Sequence, residues 1–179
     1  MNRTADRIKK NLRFSKRIAV MILVIYTMLV LYFMFFGFGR LQLNVPHQGY
    51  RFQLVPTGIP LWFPKHFNRL WLFSLGNLLI FTPFGILVPV IFNSRYPKFL
   101  LLFVISITIL ELLQMLTYLG SFDTNDIIIN AIGATIGFLS YRMSSNAKSA
   151  PKKMLRILLL VAAFTIGMIA FAEIFNKFV

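Results

Sequence analysis

Glu111, Asp123 and Asp126 are three of the five acidic residues in a chain of 179, and all three fall within ELLQMLTYLGSFDTNDIIIN, Glu111 to Asn130. The sequence on either side is oily. A carboxylate at membrane depth costs roughly 2.5–3.5 kcal/mol or more, so it must face protein or water, and it marks a functional candidate by default. Desolvation disfavours its charged form. A carboxyl held near neutrality suits general acid–base work, and Glu111 is the candidate for that role. Asp123 and Asp126 could orient a nucleophile or hold a hard cation with water completing its shell. The simpler reading of this pair is capping: Asp123 as an N-cap with Asp126 three residues on, resembling a capping box.

Other polar residues keep the same company. Asn77 is a lone amide in GNLLIFTPFGILVP, and Glu111 and Gln114 share one side of ELLQ. At 100° per residue, positions 123, 126, 130, 133 and 137 form one stripe, reading Asp–Asp–Asn–Gly–Gly. Its glycine half allows tight helix packing, as do Gly76 and Gly85 on the segment of Asn77. Asn77, Glu111, Gln114 and Asn130 then fall in one half of a bilayer, with Asp123 and Asp126 above them at its surface. For Asn77 the bland alternative is an interhelical hydrogen bond, with a protonated Glu111 as its partner. Among the remaining candidates, His47 and His66 lie nineteen apart with no ligand-like spacing, so no metal site is expected. No phosphate-binding glycine loop and no G-x-S-x-G occurs, and no cofactor is named.

The elements that must position these groups are helices in a membrane. The chain is 58% hydrophobic with a mean hydropathy of +0.73, and the excess comes in long runs. Five apolar segments, Ile18–Phe38, Leu70–Phe92, Phe99–Leu119, Ile127–Tyr141 and Met154–Phe175, predict an all-α polytopic bundle of about five transmembrane helices. The fourth is adequate only if its helix starts at Asp123 or Thr124. Pro83 invites a kink in the second. The net charge of +14 would point to nucleic acid in a soluble protein, but here the bases flank spans, and no nucleic-acid partner is expected. With the N-terminus inside, fourteen Lys and Arg face the cytoplasm and five face out. That asymmetry places the C-terminus and Gly120–Asn125 outside, in an uncleaved multi-pass protein of the cell membrane.

Residues 1–17 are a basic N-terminal segment, and 18–179 form the transmembrane domain. The segment has an apolar line at Ala5, Ile8 and Leu12 and could lie on anionic inner-leaflet lipids; its simpler role is a topology signal. The outer loop Gly39–Asn68 holds VPTGIPLWFP, whose prolines forbid regular helix. It could cover part of a site or merely connect. Trp62 and Trp71 suit the outer membrane–water interface. Glu173 and Lys177 form an ordinary i,i+4 pair.

Three blocks carry a family resemblance: NLLIFTPFGIL (Asn77–Leu87), ELLQ (Glu111–Gln114) and FDTNDIIINAIGATIG (Phe122–Gly137). Their order and spacing, over a core of residues 76–138, resemble the VanZ-like family of bacterial integral membrane proteins. FQLVP (Phe52–Pro56) resembles a loop motif of the same family. The resemblance implies an envelope protein whose namesake, an accessory of glycopeptide-resistance clusters, lowers susceptibility to teicoplanin. It also implies a polar site made by Asn77, Glu111, Gln114, Asp123, Asp126 and Asn130. Glu111, Asp123 and Asp126 would be its catalytic carboxylates if it is an enzyme. The expected partner is an outer-leaflet lipid head group or a lipid-linked cell-wall precursor. The site could act as a head-group transferase or hydrolase, or bind without chemistry. In a third reading the polar residues only hold helices or a protein partner together. One departure is visible: many members carry an arginine just ahead of the first aspartate, and Leu119-Gly120-Ser121-Phe122 has none. If that arginine holds phosphate, then Arg69, Arg51 or Lys65 must replace it here.

Overall fold

The structure is a computed structural model describing residues 3–37, 49–56, 58–63, 69–147 and 149–178, with the side chains of 3–14, 69 and 70 outside the described part. Five helices follow one another: α1 Arg3–Phe36, α2 Arg69–Phe92, α3 Tyr96–Leu116, α4 Thr124–Met143 and α5 Ala150–Phe175. Two short strands, β1 Phe52–Gln53 and β2 Phe122–Asp123, complete the elements. The all-α bundle expected from the apolar runs is present, and the chain is a multi-pass membrane protein.

Four segments are long and apolar enough to cross a bilayer: Ser15–Phe36, Trp71–Phe92, Tyr96–Leu116 and Ala150–Phe175. The fifth expected span, α4, falls outside that set because its first two turns and its small residues are not lipid-like. It has no need to be. α4 buries Ile129, Asn130, Gly133, Ala134, Gly137 and Phe138 and packs against α2, α3 and α5. A helix enclosed by protein can carry polar groups that a lipid-facing helix cannot. α1 runs unbroken through the basic tract into the span. Its 34 residues reach about 51 Å, well beyond the ~30 Å hydrocarbon core.

The most extensive interface joins α2 to α4, and glycine creates it. A methyl on Gly133 would overlap the carbonyl oxygen of Leu78 and lie 2.8 Å from its carbon. One on Gly137 would overlap the carbonyl oxygen of Thr82, and one on Gly85 that of Ala134. The two backbones therefore touch along the small-residue stripe, as its spacing predicts. Gly76 departs from expectation: nothing lies within 4 Å of its would-be Cβ. α2 stays helical through Pro83 and Pro89. Beside Pro83 the Thr82 hydroxyl donates to Leu78 O at 3.0 Å.

The described part of the long loop is a fitted cap. β1 pairs in parallel with β2, Phe52 opposite Phe122 and Gln53 opposite Asp123. The Thr124 hydroxyl adds bonds to Gln53 O and Leu54 O, at 3.1 and 3.0 Å. On the far side Asn176 grips the peptide of Ile59, accepting from its N–H at 2.9 Å and donating to its carbonyl at 2.7 Å. Glu173 accepts from Phe63 N at 3.1 Å, so this carboxylate serves the loop. Leu61 is fully buried in a core cluster with Leu78, Ile129 and Ile169. Trp71 is buried too. Its indole donates to Trp62 O at 2.7 Å.

Candidate functional site

Beneath this cap, α1, α2 and the first turn of α4 enclose a cavity of about 630 Å³. Asn77, Ser74, Asp123, Asn125 and Asp126 supply its polar wall, and Phe33, Phe73, Ile80, Phe81 and Trp62 are among its apolar lining. The polar wall comes from local geometry. Asp123 is the N-cap of α4, extended in backbone, with Oδ1 accepting from Asn125 N at 2.8 Å. That role was legible in the sequence. A cap places its neighbours on the open first turn, where backbone N–H groups and the helix dipole favour negative charge. Asp126, at the third helical position, stands in that field and reaches α2. Asn77 Nδ2 donates to its Oδ1 at 3.2 Å.

The structure thus brings together three of the seven expected site residues in the cavity: Asn77, Asp123 and Asp126. Glu111 and Gln114 are buried on α3, each 3% exposed, and neither lines the cavity. Gln114 turns to α1 instead, donating to Met34 O at 2.7 Å, one of the last-turn carbonyls that a helix cannot satisfy itself. The bland alternative pairs Asn77 with Glu111; the bond formed goes to Asp126, across the tight α2–α4 contact. Asn130 is buried one turn below Asp126 on the same stripe, and its Oδ1 has no hydrogen-bond partner among the described residues. Arg69 opens α2, but its side chain lies outside the described part, as does all of Lys65.

Two residues gain importance. Asn125, buried and lining the cavity, reads in sequence as a spacer between the aspartates. The signal for it was its second position after a cap, where the first turn opens to one side. Arg51 enters through the strand ladder: its carbonyl accepts from Phe122 N at 3.0 Å. The loop therefore sets the backbone of Arg51 beside Phe122, the residue just ahead of Asp123. Further along the rim Tyr50 stacks on Tyr118, ring centroids 5.1 Å apart. Their hydrogen bond raises the Tyr118 hydroxyl above the ordinary tyrosine range. Among the described residues no group of three or more His, Cys, Asp or Glu could hold a metal ion.

With this geometry in hand, comparison with known proteins is decisive on one point. A family model described as VanZ/LLP1 matches residues 23–145, well over half of the chain and all of the elements that build the cavity wall. The chain belongs to the VanZ/LLP1 family. It is 35% identical over 89 residues to Protein VanZ from Enterococcus faecium, which covers 49% of this chain and 54% of that protein. The match thus spans about half the length of this VanZ/LLP1 relative. No solved structure matches the chain.

Proposed function

We propose that this VanZ/LLP1 protein sits in the bacterial plasma membrane with its basic end in the cytoplasm. Its capped cavity receives the head group of an outer-leaflet lipid or lipid-linked wall precursor. By doing so it lowers susceptibility to glycopeptides of the teicoplanin type. The observation that carries this reading is the two-sided lining: carboxylates and amides at one end, aromatic and aliphatic walls along the rest. A lipid is a molecule divided the same way. The charge asymmetry of the connections supports the orientation.

Binding fits better than acid–base chemistry by Glu111, because Glu111 does not border the cavity. Asp123 and Asp126 are the carboxylates available there. Both already accept hydrogen bonds from protein, so they suit recognition of hydroxyl or ammonium donors. Arg51, brought alongside by the ladder, is the cation for a phosphate-bearing head group.

The test substitutes Asp126→Asn, which keeps an acceptor for Asn77 and removes the charge. Folded protein in the membrane and teicoplanin susceptibility are measured in the same cells, and wall precursor or phospholipid is titrated against thermal stability. Unchanged folded amount, lost protection and lost ligand-induced stabilisation are expected. Full protection by the variant overturns the reading. The Asn77–Asp126 bond also favours a purely structural role for these residues, and loss of folded protein in Asp126→Asn would decide for that alternative.

A further inference from the structure

The second large cavity, about 760 Å³, lies between α1, α2 and α3 at the opposite, base-rich end of the bundle. Its body is apolar, walled by Val30, Phe84, Val88 and Phe103, and its mouth is formed by Ser94, Arg95 and Lys98. No carboxylate lines it. Arg95 and Lys98 are exposed and have no ion pair among the described residues. Two other bases at this end are differently engaged: Arg142 lies 5.6 Å from the Phe138 ring centroid and Lys153 4.5 Å from that of Tyr141.

The local chain explains the mouth. Asn93 takes a left-handed backbone, φ 47°, which turns α2 sharply into α3. Arg95 is the N-cap of α3 but makes no side-chain cap bond, and Pro97 occupies the first turn. The first N–H groups of α3 are therefore left to outside acceptors. The Ser94 hydroxyl beside them is a buried oxygen with no hydrogen-bond partner among the described residues. One guanidinium, one ammonium, a hydroxyl and a helix N-terminus converge on a groove whose interior is hydrocarbon-like. From Arg95 to Leu110, both of which line it, α3 rises about 22 Å, more than half of the ~30 Å hydrocarbon core.

We infer that this groove is a binding site for one anionic glycerophospholipid of the leaflet at the basic end. Its phosphate is held by Arg95, Lys98 and Ser94, and an acyl chain lies between α1, α2 and α3. Basic pockets between spans on the cytoplasmic side select anionic head groups, and the charge complementarity here is one-signed. The groove shares a wall with the capped cavity at Val30 and Phe81, but its basic mouth is distinct and the inference does not depend on the function proposed for that cavity.

The full chain, purified in a non-ionic detergent, is titrated with phosphatidylglycerol or phosphatidylcholine and read by native mass spectrometry and thermal shift. Phosphatidylglycerol should be retained in preference. The double variant Arg95→Gln, Lys98→Gln should bind it roughly 20–30-fold more weakly, at about 1 kcal/mol per base converted to affinity. Arg142→Gln with Lys153→Gln should leave the preference intact. Ser106→Trp, which fills the groove from an exposed position and spares both bases, should also reduce retention. Equal binding of the two lipids overturns the site, as does an undiminished preference in the Arg95/Lys98 variant. Equal loss in the Arg142/Lys153 variant reduces it to surface charge, and normal retention by Ser106→Trp removes the groove. Each variant's unfolding without lipid is recorded, and a variant unfolded at the start is replaced by Arg95→Lys, which keeps the charge and should retain the lipid.

Discussion

Gly133→Ala tests whether the α2–α4 contact sets the geometry of the capped cavity. The added methyl would overlap the Leu78 carbonyl oxygen and sit 2.8 Å from its carbon and 3.1 Å from its Cα. These are backbone atoms, so no side chain can swing aside. Ordinary carbon contacts lie at about 3.5–4.0 Å, and the oxygen is nearer than the carbon, so the helices must part locally by at least about 1 Å. Overpacking of this kind costs about 1–3 kcal/mol. The displacement matters more than the cost. Asn77 adjoins Leu78, and its bond to Asp126 is already 3.2 Å. A shift of that size carries it to about 4 Å, beyond hydrogen-bond range. The variant should therefore unfold at lower temperature and also lose the activity or binding of the cavity, although no polar residue has changed. Gly76→Ala is the control, with nothing within 4 Å; it should be neutral or stabilise by up to ~1 kcal/mol through helix propensity. Thermal unfolding in one detergent, together with ligand titration of both variants, reads the outcome. Equal stability and equal binding for Gly133→Ala and Gly76→Ala would refute the claim that backbone contact positions the site.

Other outcomes follow from single contacts. Asn77→Ala should cost about 1–2 kcal/mol, because it leaves Asp126 without its amide donor; chemical denaturation against Asn77→Asp, which adds like charge and should cost more, checks it. Asn176→Ala removes both bonds to the Ile59 peptide and should cost about 1–2 kcal/mol. Its first sign should be faster proteolysis within residues 55–63, with the helices intact. Arg51→Gln should weaken binding of a phosphate-bearing head group; undiminished binding in a lipid titration would remove Arg51 from the site.

The spans were legible because apolar runs and their polar ends are local properties. The start of α4 at Thr124 was legible from Asp123, a cap that satisfies its own helix. The glycine stripe was legible because 100° per residue fixes which positions share a side, though not what they meet. That is why Gly133 and Gly137 were placed correctly and Gly76 was not: spacing reports a small residue, and only tertiary structure reports the backbone opposite. The partner of Asn77 was misjudged for the same reason. Spacing puts Glu111 nearer than Asp126 to the depth of Asn77, and the bond goes to Asp126 because α2 packs most extensively against α4. The loop was least legible. Its prolines exclude helix but say nothing of Asn176 or Phe122, which lie more than a hundred residues away for one and about seventy for the other.

The chemistry of the capped cavity constrains its occupant in a way that family membership does not. Two carboxylates line the polar wall, and each is anchored by a donor from the protein: a backbone amide for Asp123 and the Asn77 amide for Asp126. Both stand at the N-terminal end of α4, where the helix dipole complements negative charge. A bare phosphate would meet that charge directly and be repelled. It can enter only with a cation beside it, and the parallel ladder supplies Arg51 at the residue ahead of Asp123. A head group rich in hydroxyls or carrying an ammonium needs no such help, since carboxylates accept its donors directly. On the proposed reading the cation would come from the cap, through Arg51, so recognition of phosphate and docking of the loop would be one event. Displacing the loop should weaken phosphate-bearing ligands more than purely hydroxylic ones, a difference that simple loss of the cavity roof would not produce.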